Sequence, residues 1–311
     1  MPNFNELRHR FECILPYWVR TSIRRFFHKI KKHRKNNISA QIAELRNIII
    51  FNNPIHKIPQ ATGKLRLLQE GNTVLLDVFT RKCEEYGLNY WIDYGTLLGA
   101  VRHKGFVPWD DDVDVGMLIE DYKKLLKLSQ EMFPKEEGFT VSQSSFLHIG
   151  YKGTPLNIDV FPHYVYARSH SEENKTRLRN LLYQVNKRIV YTKGLLNLSM
   201  DQIDTLYQET VLNDSDNSLK SQDSLVFISP AAAMVNIDIL QYNDIFPLKE
   251  ISFEDIKVKA PAHPRRCLET IYGDYMSYPP KVGLWHQNIE EMVKRTPFET
   301  DVNTFIDKYS S

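Results

Sequence analysis

The chain has 311 residues, 42% of them hydrophobic and 25% charged, with a formal net charge of +2. This is the composition of a globular chain with enough apolar content for one large domain or two small ones, and it gives no global attraction for a polyanion. Three widely separated cysteines, Cys13, Cys83 and Cys267, exclude a disulfide framework and metal-type spacing; they read as free thiols of a reducing compartment, with Cys83 in the core.

Charge is unevenly spread. Between residues 17 and 35 lie Arg20, Arg24, Arg25, Lys29, Lys31, Lys32, Arg34 and Lys35 without a single acid, while Leu15, Val19, Ile23, Phe26, Phe27 and Ile30 recur at helical spacing. Two readings of this basic amphipathic helix stay open. Residues 15–35 lie peripherally in an anionic membrane interface, or the apolar stripe docks on the rest of the chain with the basic face in water. No nucleic-acid recognition motif accompanies it. With no apolar stretch long enough to span a bilayer and no signal-peptide core, the expected location is the cytoplasm, with peripheral contact at the inner face of the cell membrane under the first reading.

Residues 51–63 carry two prolines and several turn formers and read as a linker. The division expected is therefore a helical extension with linker over 1–60, a main domain over 61–295 and a C-terminal tail over 296–311. The spacing predicts a helix from Lys64 to Tyr86 stopped by Gly87, its Leu67, Leu68, Leu75, Leu76, Val78 and Phe79 covering a sheet. Next comes the densest stretch, WIDYGTLLGAVRHKGFVPWDDDVDVGM, residues 91–117. A short strand, a glycine turn and a helix start present backbone N–H groups and a positive dipole end. If residues 110–117 are extended, alternation puts Asp110, Asp112 and Asp114 on one face and Val113 and Val115 on the other. Clustered carboxylates repel unless a hard cation intervenes, and Mg²⁺ (or Mn²⁺) takes oxygen ligands of this kind.

Further on, a helix is expected over 120–133, strands over 139–145, 146–152 and 156–166, helices over 171–191 and 200–219, strands over 226–229 and 245–259, and a short helix over 264–272. Along 156–166, Asn157 and Asp159 face away from Ile158 and Val160, which lets Asp159 join the acidic face. The fold class is α/β (α+β), a mixed sheet flanked by helices with an N-terminal helical extension.

The string GTLLGAVRHKGFVPWDDDVDV, followed in order by NIDVFP, IFPLKEISFEDIKVKAP, YGDYM and His286, resembles the LicD family. These are phosphocholine transferases of bacterial surface glycans, with relatives among fukutin and fukutin-related protein, in the nucleotidyltransferase superfamily. The resemblance covers roughly residues 61–290. It implies a nucleotidyltransferase-like fold, catalytic Asp112, Asp114, Asp159 and Asp110, and a metal held by Asp112, Asp114 and Asp159. The family's glycine element has two candidates: Leu98-Gly99-Ala100 has the better spacing, and Tyr94-Gly95-Thr96 has the better residues.

Arg102, His103 and Lys104 are expected to grip a diphosphate. The resemblance further implies a CDP-alcohol donor, CDP-choline above all, a glycan or lipid-linked glycan acceptor of lipopolysaccharide, teichoic acid or capsule, and release of CMP. A choline headgroup needs an aromatic box, for which Trp91, Tyr94, Trp109, Tyr164 and Trp285 are candidates and Trp109 is the first choice. Transfer of a nucleoside monophosphate, or a non-catalytic glycan- or nucleotide-binding protein at the membrane surface, are the alternatives.

Overall fold

The computed structural model describes residues 54–144, 146–192, 200–215, 223–228, 238–279 and 297–310. The basic stretch 15–35, Cys13, Trp285 and His286 lie outside the described residues. Residues from His56 onward form one compact unit.

The unit opens with helix α1, Gly63–Glu85, which ends before Gly87 in the left-handed region, φ +65°. This is the C-terminal stop that the sequence predicts, since glycine adopts positive φ without steric cost. Strand β1, Trp91–Ile92, helix α2, Tyr94–Arg102, strand β2, Val113–Leu118, and helix α3, Ile119–Met132, follow. Then come the hairpin β3, Phe139–Gln143, with β4, Leu147–Tyr151, and the long strand β5, Asn157–Tyr166. Helices α4, Glu172–Thr192, and α5, Met200–Thr210, precede β6, Leu225–Ile228, and β7, Ile239–Gln241. A one-turn helix α6, Tyr242–Ile245, leads to the hairpin β8, Lys249–Phe253, with β9, Ile256–Ala260, then helix α7, Pro264–Tyr272, and helix α8, Phe298–Tyr309.

Strand β5 is the organising element of a seven-stranded mixed sheet. It runs parallel to β2 and antiparallel to β4 and β6, with β1 beyond β2, β3 beyond β4 and β7 beyond β6. The β2–β5 register sets Val113 beside Ile158 and Val115 beside Val160, all fully buried, and on the opposite face sets Asp114 beside Asp159. The period-2 side-chain alternation thus makes one face core and the other acid. Helix α1 contributes Leu68, Leu75, Leu76 and Phe79 to that core.

Three boundaries differ from the sequence reading. Strand β2 begins at Val113, so Asp110 and Asp112 precede it, with the Asp110 N–H closing a turn by donating to the Val107 carbonyl at 2.9 Å. Residues 245–259 are not one strand: Glu254, at φ +51°, turns the chain into a separate two-stranded sheet. Helix α5 stops at Thr210, followed by a single 3₁₀ turn over Leu212–Asp214. The C-terminal residues form helix α8, which packs on α1 and buries Phe298, Val302 and Phe305. Both Cys83 and Cys267 are buried free thiols.

Candidate active site

The acidic face is assembled from two strands and one turn. One carboxylate oxygen from each of Asp112, Asp114 and Asp159 lies within 4.8 Å of the others, and Asp110, Asp111 and Asp112 form a second set at the same spacing. Oxygen-only donors at this separation match a hard divalent cation of Mg²⁺ type. Asp114 keeps part of its surface open, yet burial of its carboxylate and the charges of Asp112, Asp110 and Asp159 push it well above the usual carboxylate range. Like charges this close disfavour simultaneous ionisation unless a cation enters.

Several residues that the sequence reading passed over hold these acids in place. Asn72 Nδ2 donates to the Asp111 carbonyl at 2.9 Å and its Oδ1 accepts from Asn157 N–H at 3.0 Å, tying the acidic turn to β5. Gln69 Nε2 donates to the Asp110 carbonyl at 2.9 Å. Both amides are buried on the apolar side of α1, which is the signal that could have found them: polar residues three apart inside a hydrophobic stripe need partners. His148 Nδ1 lies 2.7 Å from Asp159 Oδ1, Ser144 Oγ lies 2.9 Å from His148 Nε2, and Asn157 Nδ2 also donates to Asp159. Thr96, expected at the substrate, is buried, and its hydroxyl accepts from Asp114 N–H at 2.8 Å, tying α2 to β2.

The two candidate glycines differ in what surrounds them. Gly95 N–H donates to Asp114 Oδ2 at 3.2 Å, and a Cβ there would meet Asp110 Oδ2 at 2.6 Å. Gly99 instead lies under the loop after α2, where a Cβ would stand 2.3 Å from the Gly105 carbonyl oxygen. Gly95 therefore adjoins the carboxylates, and Gly99 adjoins the backbone of the loop after α2. The start of α2 is capped by Asp93, whose Oδ1 accepts from Tyr94 N–H at 3.0 Å. Burial pushes the Asp93 carboxyl up to about 6 and holds His163, whose Nε2 is 3.3 Å from Asp93 Oδ2, down to about 4. His163 Nδ1 faces the Phe161 carbonyl at 3.1 Å, so the ring is held between that carbonyl and the Asp93 carboxyl.

A cavity of about 520 Å³ adjoins the acids, bounded by Gly95, Arg102, Trp109, Asp110 and three tyrosines, Tyr272, Tyr275 and Tyr278. Burial and the charges of Asp114, Asp93 and Asp110 push the Tyr272 hydroxyl up. Arg102 is 7% exposed and its Nη1 donates to the Tyr275 carbonyl at 2.6 Å. His103 follows α2 as its C-cap, with Nδ1 accepting from Arg102 Nε at 3.4 Å. Lys104, at φ +67°, lines a different cavity. Of the aromatic candidates, Trp109 lines the acidic-site cavity, whereas Trp91 and Tyr164 are fully buried core residues, Trp91 lying across Gly116 with its Nε1–H on Asp93. Tyr94 packs against Phe161, ring centroids 5.5 Å apart.

Fold and site together define an α+β domain with a carboxylate centre shared between parallel strands, beneath a glycine-bearing helix. Residues 87–199 match the family model described as LicD/FKTN/FKRP, nucleotidyltransferase domain. Over those residues the chain is similar to the LicD-type nucleotidyltransferase domain. It is 50% identical over 52 residues to a lipopolysaccharide cholinephosphotransferase LicD of Haemophilus influenzae, 17% of this chain and 20% of that protein. It is 33% identical over 107 residues to the human ribitol 5-phosphate transferase FKRP, 32% of this chain and 21% of that one. An uncharacterised protein of Rickettsia prowazekii is 40% identical over 97 residues, 30% of this chain and 32% of its own length. The chain thus spans between a fifth and a third of the length of these relatives. Among the described residues no helix is long and apolar enough to cross a membrane.

Proposed function

We propose that this protein transfers a phosphoalcohol from a CDP-alcohol to a hydroxyl of a surface glycan or its lipid-linked precursor and releases CMP. The observation that carries the reading is the side-by-side register of Asp114 and Asp159, with Asp112 in reach of both, while the neighbouring Asp110 lines an aromatic cavity. When bound by Asp112, Asp114 and Asp159, Mg²⁺ or Mn²⁺ supplies charge neutralisation for the donor diphosphate.

The chain's own residues do the rest. Arg102, buried at the cavity wall, gives a fixed positive charge to the diphosphate. The acceptor hydroxyl attacks the phosphorus bearing the alcohol, the bond from that phosphorus to the bridging oxygen breaks, and CMP leaves with the electron pair. Asp110, which lines the cavity and is not one of the three carboxylates assigned to the metal, takes the hydroxyl proton. His148 and Asn157 fix the Asp159 carboxylate through their hydrogen bonds to Oδ1.

Phosphocholine is the alcohol phosphate that fits best. Trp109, Tyr272, Tyr275 and Tyr278 line the cavity beside the carboxylates of Asp110 and Asp274, and aromatic rings with negative charge are the surroundings that a quaternary ammonium selects. The kind of transfer named for the Haemophilus relative is consistent with this choice.

The test is a release assay with the purified chain, Mg²⁺ or Mn²⁺, a surface-glycan fraction, and CDP-choline, CDP-glycerol, CDP-ribitol and CTP in parallel, with Asp112→Asn as control. CMP from CDP-choline, absent in the variant and reduced at least tenfold by Trp109→Ala, supports the reading. CMP from another CDP-alcohol overturns the choline assignment, pyrophosphate from CTP overturns phosphoalcohol transfer in favour of nucleotidyl transfer, and no product from any donor overturns both.

A further inference from the structure

A second cavity, of about 620 Å³, lies on the other flank of α2. Where Gly95, Leu98 and Arg102 face the acidic site, Ala100 and Val101 of the same helix face this one. Its remaining walls come from the loop after α2, strand β8 of the hairpin and the first turn of α7, and they bring Lys104, Lys249, His263, Arg265 and Arg266 around one space. No carboxylate is among its lining residues.

Two acids nearby are already engaged. Glu254 is gripped by Arg66, at 2.8 and 3.1 Å, and Asp244 is paired with Arg266 at 3.3 Å. Among the described residues, Lys104, Lys249 and Arg265 form no ion pair. Lys104 is held at the cavity although its φ of +67° is costly for a residue with a Cβ; its carbonyl accepts from Glu254 N–H at 2.9 Å. The nine-residue helix α7 begins here with no side-chain cap, so its first backbone N–H groups add partial positive charge to the same space.

On a chain whose net charge is only +2, this local concentration is selective. Like charges around a concave space repel one another and are relieved by a compact polyvalent anion; the Arg265 guanidinium, the Lys104 and Lys249 ammonium groups and a helix N-terminus, with the Asp244-paired Arg266 beside them, are the donor set for a phosphate ester. The volume leaves room for the group that carries the phosphate. Helix α7 starts in this cavity and ends with Tyr272 in the aromatic one, so the two are separated by eight helical steps, roughly 12 Å.

We propose that the basic cavity is a phosphate-ester site, distinct from the carboxylate centre, which anchors a phosphorylated acceptor while its hydroxyl reaches the reaction cavity. The anion site stands on its own geometry; its use by the acceptor rests on the transfer reading. The same chemistry is offered by a sugar phosphate and by the headgroup of an anionic lipid.

The test separates these sources and does not depend on turnover. Calorimetric titration of the full chain in EDTA, with inorganic phosphate and a hexose 6-phosphate as probes, is run beside flotation with phosphatidylcholine vesicles with and without phosphatidylglycerol. The variants are Lys249→Glu with Arg265→Glu in the cavity, Lys127→Glu with Lys135→Glu as a distant control of equal charge change, and Asp112→Asn.

The result expected is saturable, salt-sensitive hexose-phosphate binding that falls at least tenfold in the cavity variant and is unchanged in the other two. Loss confined to phosphatidylglycerol vesicles would keep the site and assign the phosphate to lipid. Binding by no probe, or equal binding by all variants, overturns the proposal. If the charge reversals unfold the chain, Lys249→Gln with Arg265→Gln replaces them, with about a threefold loss expected. Because no donor or metal is present, a negative result here leaves the transfer reading untouched, and an inactive donor assay leaves this site untouched.

Discussion

Replacing Gly95 and Gly99 separately by alanine should divide activity from stability. Gly95 lies in the first turn of α2 with no positive φ, so alanine suits its backbone and by helix propensity gains up to about 1 kcal/mol. The added Cβ would stand 2.6 Å from Asp110 Oδ2 and 3.5 Å from Asp114 Oδ2. Restoring ordinary contact displaces the Asp110 carboxylate by nearly 1 Å, and a misplacement of that size in a site of this kind costs on the order of 10- to 100-fold in rate. At Gly99 the neighbours are backbone: the Gly105 oxygen at 2.3 Å, Val107 N at 3.0 Å and Phe106 C at 3.2 Å. That loop cannot give way easily, because Glu254 accepts from Phe106 N–H at 3.0 Å and is itself clamped by Arg66. Overpacking there costs about 2 kcal/mol or more, a fall of several degrees in Tm.

Thermal denaturation with CMP release under saturating Mg²⁺ measures both. Gly95→Ala should keep Tm within about 2 °C and lose 10- to 100-fold in kcat/KM, while Gly99→Ala should melt early. Full activity in Gly95→Ala, or inactivation of Gly99→Ala at unchanged Tm, would refute the assignment of the site glycine.

Two further outcomes follow from the same carboxylates. A folded-state carboxyl raised above its ordinary value stabilises the protein fully below the unfolded value, near pH 4, and that contribution is lost as pH rises through the folded value; Asp114 is such a group, through burial and then Asp112. In EDTA, Tm should therefore decline with rising pH more steeply in the wild type than in Asp112→Asn, and Mg²⁺ should restore the wild type alone; parallel curves in a Tm-against-pH series would count against the shared centre. His148→Ala, which removes the group 2.7 Å from Asp159, should weaken Mg²⁺ binding by calorimetry 10- to 100-fold and leave Tm nearly unchanged, since the ring is 30% exposed. Unaltered metal affinity would show that Asp159 is held without it.

How much of this was legible beforehand depends on the range of the interaction. Alternation along Val113–Leu118 and Asn157–Tyr166 carries the separation of core from acid, and the C-terminal stop of α1 at Gly87 is a single-residue effect; both are local, and both could be read from the sequence. The convergence of Asp114 and Asp159 was anticipated by pattern, but their pairing side by side exists only because β2 and β5 run parallel in one register.

Other decisions were made by packing between elements far apart in the chain. Two glycines four residues apart on one short helix look alike as letters. What distinguishes them is that Asp110 packs against one and the Gly105–Val107 loop against the other. The run Arg102, His103, Lys104 reads as one basic patch, yet the end of α2 and the left-handed Lys104 send Arg102 and Lys104 to opposite cavities. Gln69 and Asn72 look like ordinary helix polar residues until the acidic turn supplies their partners.

The sequence by itself thus determined which residues carry negative charge, which faces are apolar and where the main helices stop, because those follow from side-chain chemistry at spacings of two to four residues. Only the tertiary structure decided which glycine serves the carboxylates, which cation meets which cavity and which amides hold the acidic turn, because each depends on neighbours brought together from distant parts of the chain.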